Sequence, residues 1–264
     1  MILETHLRRA RDRGRKLLVP YVTGGMGRSW TDVVRACAAA GADAIEVGIP
    51  FSDPVMDGPT IQEASTRALD LGATPQSVIH DAGGLDISTP RVVMTYYNPV
   101  VRAGEPRFAT ELAAAGIDAA IVPDLPLDEL EPWAKAADAT GIETVLLAAP
   151  PTLDARLAEI CARSRGFVYG VSLMGVTGER DRLATAAATM GARLKAATDL
   201  PVLLGVGISN AEQAVEAARH ADGVIVGSAL VRRLLQGGSP DDAGDFVAEL
   251  RAALDAEWPE VEPS

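Results

Sequence analysis

Hydrophobic residues in this chain fall into short, mostly continuous runs separated by longer amphipathic stretches. Continuous runs are typical of strands covered on both faces, and apolar residues spaced three and four apart are typical of helices packed on a sheet. The runs begin near Leu17, Ala44, Arg91, Ala119, Thr144, Phe167, Val202 and Gly223. The pattern therefore predicts eight buried, parallel strands with helices between most of them.

Glycines predict where several of these helices end, because a glycine after the last turn adopts the left-handed conformation that closes a helix. Such positions are Gly41, Gly116 and Gly141. The run AAAGADA at 38–44 reappears almost unchanged as AAAGIDA at 113–119, so a helix end and a new strand recur together. At 209–212 the run SNAE fits a capping box and predicts a helix that starts from Ser209.

The length of the chain agrees with one closed barrel. Its 264 residues match the ~250 residues of a typical (β/α)8 fold, and no linker rich in proline or serine divides them. We therefore predict an α/β fold in which residues 1–264 form a single TIM-barrel catalytic domain with an extra N-terminal helix. A doubly wound open sheet is the alternative that the same alternation of strands and helices allows.

Charge and composition limit the classes of partner. With 24 basic and 36 acidic residues, the formal net charge is −12, which repels nucleic acid and anionic membrane surfaces. The start of the chain lacks a basic stretch followed by an apolar one, and no stretch approaches about 18 continuous apolar residues. We expect a cytoplasmic protein without a nucleic-acid or membrane partner.

Cysteine and histidine positions indicate no metal or redox chemistry. Cys37 and Cys161 each lie within an apolar helical pattern and are expected in the core. His6, His80 and His220 show no ligand spacing and are expected at the surface or at helix ends. We therefore predict no metal site on this chain.

The second predicted strand carries a carboxylate inside an otherwise apolar run. Barrel enzymes hold their reacting groups at the carboxyl ends of strands, and burial of Glu46 at such a place would raise its pKa toward neutrality. A carboxyl of that kind can act as both acid and base. The alternative is a structural glutamate paired with a lysine or arginine near the rim.

The loop after this strand contains three prolines and two acids, in the run IPFSDPVMDGP at 49–59. Prolines restrict their own backbone and that of the preceding residue, so the loop can hold Asp57 at a defined place over the barrel mouth. Asp57 is thus a second candidate carboxylate. The alternative for Asp57 and for Asp53 is an Asx turn or an N-cap before the next helix.

Glycine loops follow the last strands, where barrels often bind phosphate. They lie at 175–178, at 205–209 and at 227–228, the last one directly before a helix. Glycine lets the backbone N–H groups approach a phosphate closely, and Ser228 can add a hydroxyl at the helix start. Taken singly, each glycine is also explained by a tight turn between strand and helix.

Several motifs together resemble the alpha subunit family of tryptophan synthase. The most specific is EVGIPFSDPVMDGPTIQ at 46–62, and MTYYNP at 94–99, PDLP at 123–126, GVTG at 175–178 and GVIVGS at 223–228 extend the similarity along the chain. The resemblance implies a TIM barrel that cleaves indole-3-glycerol phosphate to indole and D-glyceraldehyde 3-phosphate by a retro-aldol reaction.

The resemblance also implies a role for individual residues. Glu46 matches the catalytic glutamate that moves protons between indole C3 and the glycerol hydroxyl. Asp57 matches the aspartate that receives the indole N–H. Thr177 matches a threonine of a mobile loop, here about 172–188, that closes over that aspartate. The remaining matches are Tyr21 and Tyr169 in the indole pocket, and Gly178, Gly207, Gly227 and Ser228 at the phosphate.

Partners follow from the resemblance alone. It implies an αββα heterotetramer with a tryptophan synthase beta subunit, which carries pyridoxal phosphate and consumes the indole, while this chain needs no cofactor. The proline-rich loop after Glu46 would lie near the contact with that subunit. The alternatives are another phosphate-binding barrel such as a sugar-phosphate epimerase or isomerase, a stand-alone indole-releasing lyase, and a non-catalytic activator of a beta subunit.

Overall fold

The computed structural model describes residues 2–171 and 180–260. Its strands are β1 (Leu17–Thr23), β2 (Ile45–Gly48), β3 (Arg91–Met94), β4 (Ala119–Ile121), β5 (Glu143–Ala148), β6 (Val168–Val171), β7 (Val202–Gly205) and β8 (Gly223–Val226). They are parallel, follow chain order and close into a barrel through pairing of β8 with β1. Each begins within one residue of its predicted start, and the closure shows that the open-sheet alternative is wrong.

Helices pack around the outside of this barrel. Those of the described residues are α1 (Ile2–Asp12), α2 (Trp30–Ala39), α3 (Pro59–Asp70), α4 (Pro75–Gly83), α5 (Tyr97–Ala103), α6 (Glu105–Ala114), α7 (Glu131–Thr140), α8 (Asp154–Arg163), α9 (Arg180–Ala197), α10 (Ala211–Ala218), α11 (Ser228–Leu235) and α12 (Pro240–Glu257). Among them, none is both long and apolar enough to cross a bilayer.

The extra N-terminal helix is present, and it closes one end of the barrel. Leu3, Leu7 and Ala10 recur along one face of α1 and join strand residues such as Val92 and Val145 in a single buried cluster. A second buried cluster lies between the strands and the outer helices, and it includes both cysteines, as predicted. Because α1 covers the amino ends of the strands, only their carboxyl ends remain open for a site.

Helix ends follow the glycine prediction. Gly41, Gly116 and Gly141 have φ of +94°, +70° and +78°, a left-handed backbone that a side chain disfavours. The helix predicted to start from Ser209 has its cap one residue later, and the predicted capping box at 209–212 is wrong. Asn210 is the cap of α10, and its side chain accepts the N–H of Gln213, whose own side chain accepts the N–H and hydroxyl of Ser209. Asparagine caps as well as serine does, and Gln213 binds the residue before the cap instead of the N–H of the cap itself.

Candidate active site

A pocket of ≈ 420 Å³ opens at the carboxyl ends of the strands, where a barrel of this kind holds its chemistry. It brings together residues from all eight strand-and-loop units. Its walls include the predicted residues Tyr21, Glu46, Asp57, Tyr169, Gly207, Gly227 and Ser228. Residues separated by more than half of the chain thus meet around one cavity.

Glu46 is the most completely buried acid of the pocket. It lies in β2, in register with Tyr21 of β1 and Val92 of β3, and only 1% of it is exposed. Among the described residues its Oε2 atom has no hydrogen-bond partner. Burial, and next the nearby charge of Asp57, raise the pKa of Glu46 to about 8. The alternative of a structural ion pair is therefore wrong for the described residues.

Asp57 is half-buried beside Tyr96. Burial raises the pKa of Asp57 above its usual value, and hydrogen bonding to the Tyr96 hydroxyl opposes that rise. The capping alternative is wrong, because the N-cap of α3 is Gly58 and no side chain caps that helix. The Asp57 side chain lines the pocket and does not cap α3, so a ligand can reach it. Hydrogen bonding favours the ionised form of Asp57, whereas burial and the Asp57 charge both oppose ionisation of Glu46.

Two tyrosines occupy matching places beside two glycines. A Cβ atom on Gly48, at the end of β2, would overlap the hydroxyl of Tyr21, and one on Gly205, at the end of β7, would overlap the ring and hydroxyl of Tyr169. The absent side chains therefore leave the space that the phenol rings fill. Burial keeps both phenols protonated, since it raises the pKa of Tyr21 and of Tyr169 above the usual value.

Gly48→Ala is expected to destabilise the protein, because the added methyl group must displace the buried Tyr21 ring. Overpacking of this kind costs about 1–3 kcal/mol, which corresponds to a Tm lower by roughly 3–10 °C for a chain of this size. Gly27→Ala is the matched control, since a Cβ there meets no atom within 4 Å. Thermal unfolding of both variants tests this, and equal Tm values would contradict the close approach.

Two glycine-containing segments line the pocket where the last two strands end. Gly227 is the N-cap of α11 and Ser228 is its first residue, and the N–H groups of a first helical turn have no partner within the helix. Gly207 follows β7 with φ of +82°, and a Cβ there would meet nothing within 4 Å. Both segments line the pocket. The arrangement suits a phosphate or another small anion.

Two of the predicted residues lie outside the described part of the chain. They are Thr177 and Gly178, in the segment 172–179 that forms the first half of the predicted lid. For these positions the sequence prediction stands as it was made.

Sequence reasoning assigned no role to several residues of the pocket. Its apolar walls come from Ile61, Met94, Leu147, Ile208 and Ile225, which suit a flat aromatic ligand. Tyr96 was also missed as a partner of Asp57, although it comes two residues after β3. The rule that reacting groups follow strand ends would have selected it.

Comparison with known proteins identifies similar chains of the same length. A family model described as tryptophan synthase alpha chain matches residues 7–255. The tryptophan synthase alpha chain of Thermobifida fusca is 47% identical over 265 residues, which cover 97% of this chain and 98% of that protein. The one of Methanosarcina mazei is 42% identical over 248 residues, which cover 92% and 91%.

Solved structures show the same agreement in three dimensions. A crystal structure of tryptophan synthase from M. tuberculosis gives a TM-score of 0.87 at 37% identity, covering 96% of this chain and 97% of that chain. A crystal structure of tryptophan synthase subunit alpha from Legionella pneumophila gives 0.88 at 30% identity, covering 97% and 98%. The similarity in fold therefore extends over nearly the whole chain.

Proposed function

Because this chain belongs to the tryptophan synthase alpha chain family, we propose that Glu46 and Asp57 carry out the reaction of that family here. The reaction is the retro-aldol cleavage of indole-3-glycerol phosphate to indole and D-glyceraldehyde 3-phosphate, and the chain is a lyase of tryptophan biosynthesis. The observation that carries the assignment is one pocket lined by two acids in different environments and by the N-terminal end of α11. We infer that residues 1–264 form one catalytic domain.

Glu46 supplies the proton transfers. Cleavage requires a proton at indole C3 and the removal of a proton from the hydroxyl on the adjoining glycerol carbon. With a pKa of about 8, Glu46 is mostly protonated at pH 7 and donates first to C3. Its carboxylate then accepts the hydroxyl proton as the carbon–carbon bond breaks and the aldehyde forms. The glutamate ends in its starting state, so one buried carboxyl serves both steps.

Asp57 stabilises the charge that appears between these steps. A proton on C3 leaves positive charge on the indole nitrogen, and an ionised carboxylate that accepts the N–H lowers the energy of that intermediate. The Asp57 charge itself contributes to the raised pKa of Glu46. The first of the two acids to ionise is therefore Asp57, which leaves Glu46 neutral for donation.

The phosphate fixes the substrate relative to these acids. We propose that the N–H groups near Gly207 and Gly227 and the Ser228 hydroxyl bind the phosphoryl group, with Gly178 from the adjoining loop. Tyr21 and Tyr169 line the indole site, and Thr177 closes over Asp57. The start of α11 supports this orientation, because the N–H groups of a helix start can bind an anion locally. The net charge of −12 on the whole chain does not prevent such binding.

We propose a tryptophan synthase beta subunit as the partner, in an αββα heterotetramer in the cytoplasm. Indole would pass to the pyridoxal phosphate that the beta subunit carries, and this chain would need no cofactor of its own. Val55 and Met56 are 76% and 50% exposed at the mouth of the pocket. Apolar surface at that place supports a protein contact beside the exit for indole.

An assay of indole release tests the proposal. The purified chain is mixed with indole-3-glycerol phosphate, with and without a beta subunit, and with the beta subunit alone as the control. Serine is omitted so that indole accumulates. We expect indole and aldehyde in equal amounts whenever this chain is present.

Each alternative gives a different result in the same assay. No indole in any mixture, together with a faster beta reaction, would identify a non-catalytic activator and overturn the proposal. Full activity without binding of a beta subunit in gel filtration would identify a stand-alone lyase.

A further inference from the structure

A tyrosine on a neighbouring strand unit contacts the loop that carries Asp57. Tyr96 is 4% exposed and is the N-cap of α5, two residues after β3. We propose that Tyr96 is a positioning residue, whose hydroxyl holds the Asp57 carboxylate and the adjoining backbone in place over the pocket. This inference rests on the function proposed for Asp57.

The turn that carries Tyr96 is itself anchored. The backbone N–H of Tyr97 donates to Asp124 Oδ1 over 2.9 Å, which ties the turn after β3 to the segment after β4. The Thr95 hydroxyl donates to the Tyr96 carbonyl. Hydrogen bonds at both neighbours leave the Tyr96 backbone little freedom, so its ring projects from a defined place.

The Tyr96 hydroxyl is suited to hold two groups at once. A phenol has one proton to donate and lone pairs to accept with. The Met56 N–H donates to the oxygen over 3.0 Å, which leaves the proton for the carboxylate of Asp57, the next residue. The effect on the two acids agrees, because hydrogen bonding lowers the pKa of Asp57, and burial together with the Asp57 charge raises the pKa of Tyr96 to about 12.

Other contacts hold the same loop but do not reach the carboxylate. The Phe51 ring stacks on the Tyr96 ring with centroids 5.1 Å apart. Gln62 Nε2 donates to the Asp57 carbonyl over 2.8 Å. A Tyr96→Phe variant therefore keeps the ring stacking and the Gln62 bond, and loses the bond to the Met56 N–H together with the proposed bond to the Asp57 carboxylate.

The proposal predicts the direction in which the pH profile of kcat shifts when the Tyr96 hydroxyl is removed. The titratable side chains that face Asp57 in the described residues are Glu46 from β2, Tyr21 from β1, Tyr96 from the β3–α5 turn and Tyr169 from β6. Of these, Tyr96 is the one whose hydroxyl accepts the N–H of Met56, the residue before Asp57, and the one that lowers the pKa of Asp57. Without its hydroxyl the pKa of Asp57 rises, and the acid limb of kcat moves to higher pH.

Tyr96→Phe tests the inference, with Tyr97→Phe as the matched control. The Tyr97 hydroxyl donates to Glu105 Oε1 over 2.9 Å and so leaves Asp57 untouched. We expect Tyr96→Phe to lower kcat roughly 10- to 100-fold, the range for a hydrogen bond to a charged group, with KM within about threefold and the acid limb raised by about one pH unit. Tyr97→Phe should resemble the parent in kcat, KM and pH profile.

Three outcomes decide between the inference and the function on which it rests. A Tyr96→Phe variant that matches Tyr97→Phe in kcat and pH profile overturns the inference, as does one that raises only KM. Asp57→Asn is measured beside them. If Asp57→Asn is inactive while Tyr96→Phe behaves as the parent, only the role of Tyr96 is wrong. If Asp57→Asn retains the parental rate, the function of Asp57 and the role of Tyr96 are both wrong.

Discussion

Glu46→Gln is expected to lower kcat for indole formation by about 10³-fold or more, while KM stays within about threefold. Each proton transfer by a positioned side chain contributes roughly 10²–10⁴-fold, and Glu46 performs both transfers in the proposed reaction. Glutamine keeps the size and polarity of the side chain but cannot donate and then recover an acidic proton. The measurement is steady-state indole release, and residual activity above a few per cent of the parent would reject the role.

A measurement of Tm distinguishes loss of proton transfer in Glu46→Gln from loss of the folded structure. The pKa of Glu46 is raised to about 8 in the folded chain and lies near 4.3 when unfolded, so its ionisation opposes folding. That cost is absent below about pH 4, grows as the pH rises, and is complete above pH 8. Glu46→Gln should therefore have a higher Tm than the parent at pH 8.5, and the difference should shrink toward pH 5. A lower Tm at pH 8.5 would indicate a structural defect instead.

The matched control for this substitution is Glu143→Gln at the opposite end of the barrel. Glu143 begins β5, is 2% exposed and accepts the Glu4 N–H over 2.9 Å. Burial raises its pKa to about 7, so it resembles Glu46 in type and environment and differs in place. We expect its kcat to remain within about threefold of the parent, because groups at the amino ends of barrel strands serve stability.

Gly207→Asp is expected to raise KM for the phosphate substrate at least about tenfold, or about 1.4 kcal/mol, with a smaller change in kcat. The new carboxylate would stand at the proposed phosphate site, where two like charges meet at short range. A Cβ atom there meets no atom within 4 Å, so the substitution has open space at its first side-chain atom. An unchanged KM would count against the anion site.

Gly207→Asn separates charge from backbone strain. Asparagine and aspartate have the same size and both tolerate the positive φ of +82° at this position. We expect Gly207→Asn to raise KM only a few fold. The difference in KM between Gly207→Asp and Gly207→Asn should become smaller as ionic strength increases, because salt screens exposed charges. Equal KM values for the two variants would show that charge plays no part.

Part of the site could be predicted because it lies close in sequence to a strand end. Glu46 stands inside an apolar run, and burial of a carboxylate follows from the run itself. Gly207, Gly227 and Ser228 follow the last two strands, and all of them line the pocket. The cap of α10 was placed one residue early, at Ser209 instead of Asn210, since serine and asparagine are equivalent caps and only the backbone decides between them.

By itself, the sequence determined the eight strands, the helix stops and the acid buried in β2. Periodicity and glycine positions are local properties, and a run of apolar residues implies burial whatever its neighbours are. Tertiary structure alone decided which residues meet: Tyr21 beside Gly48, Tyr169 beside Gly205, and Tyr96 at Asp57. The physical reason is that closing the barrel sets the register between strands, and contacts between distant residues exist only once that register is formed.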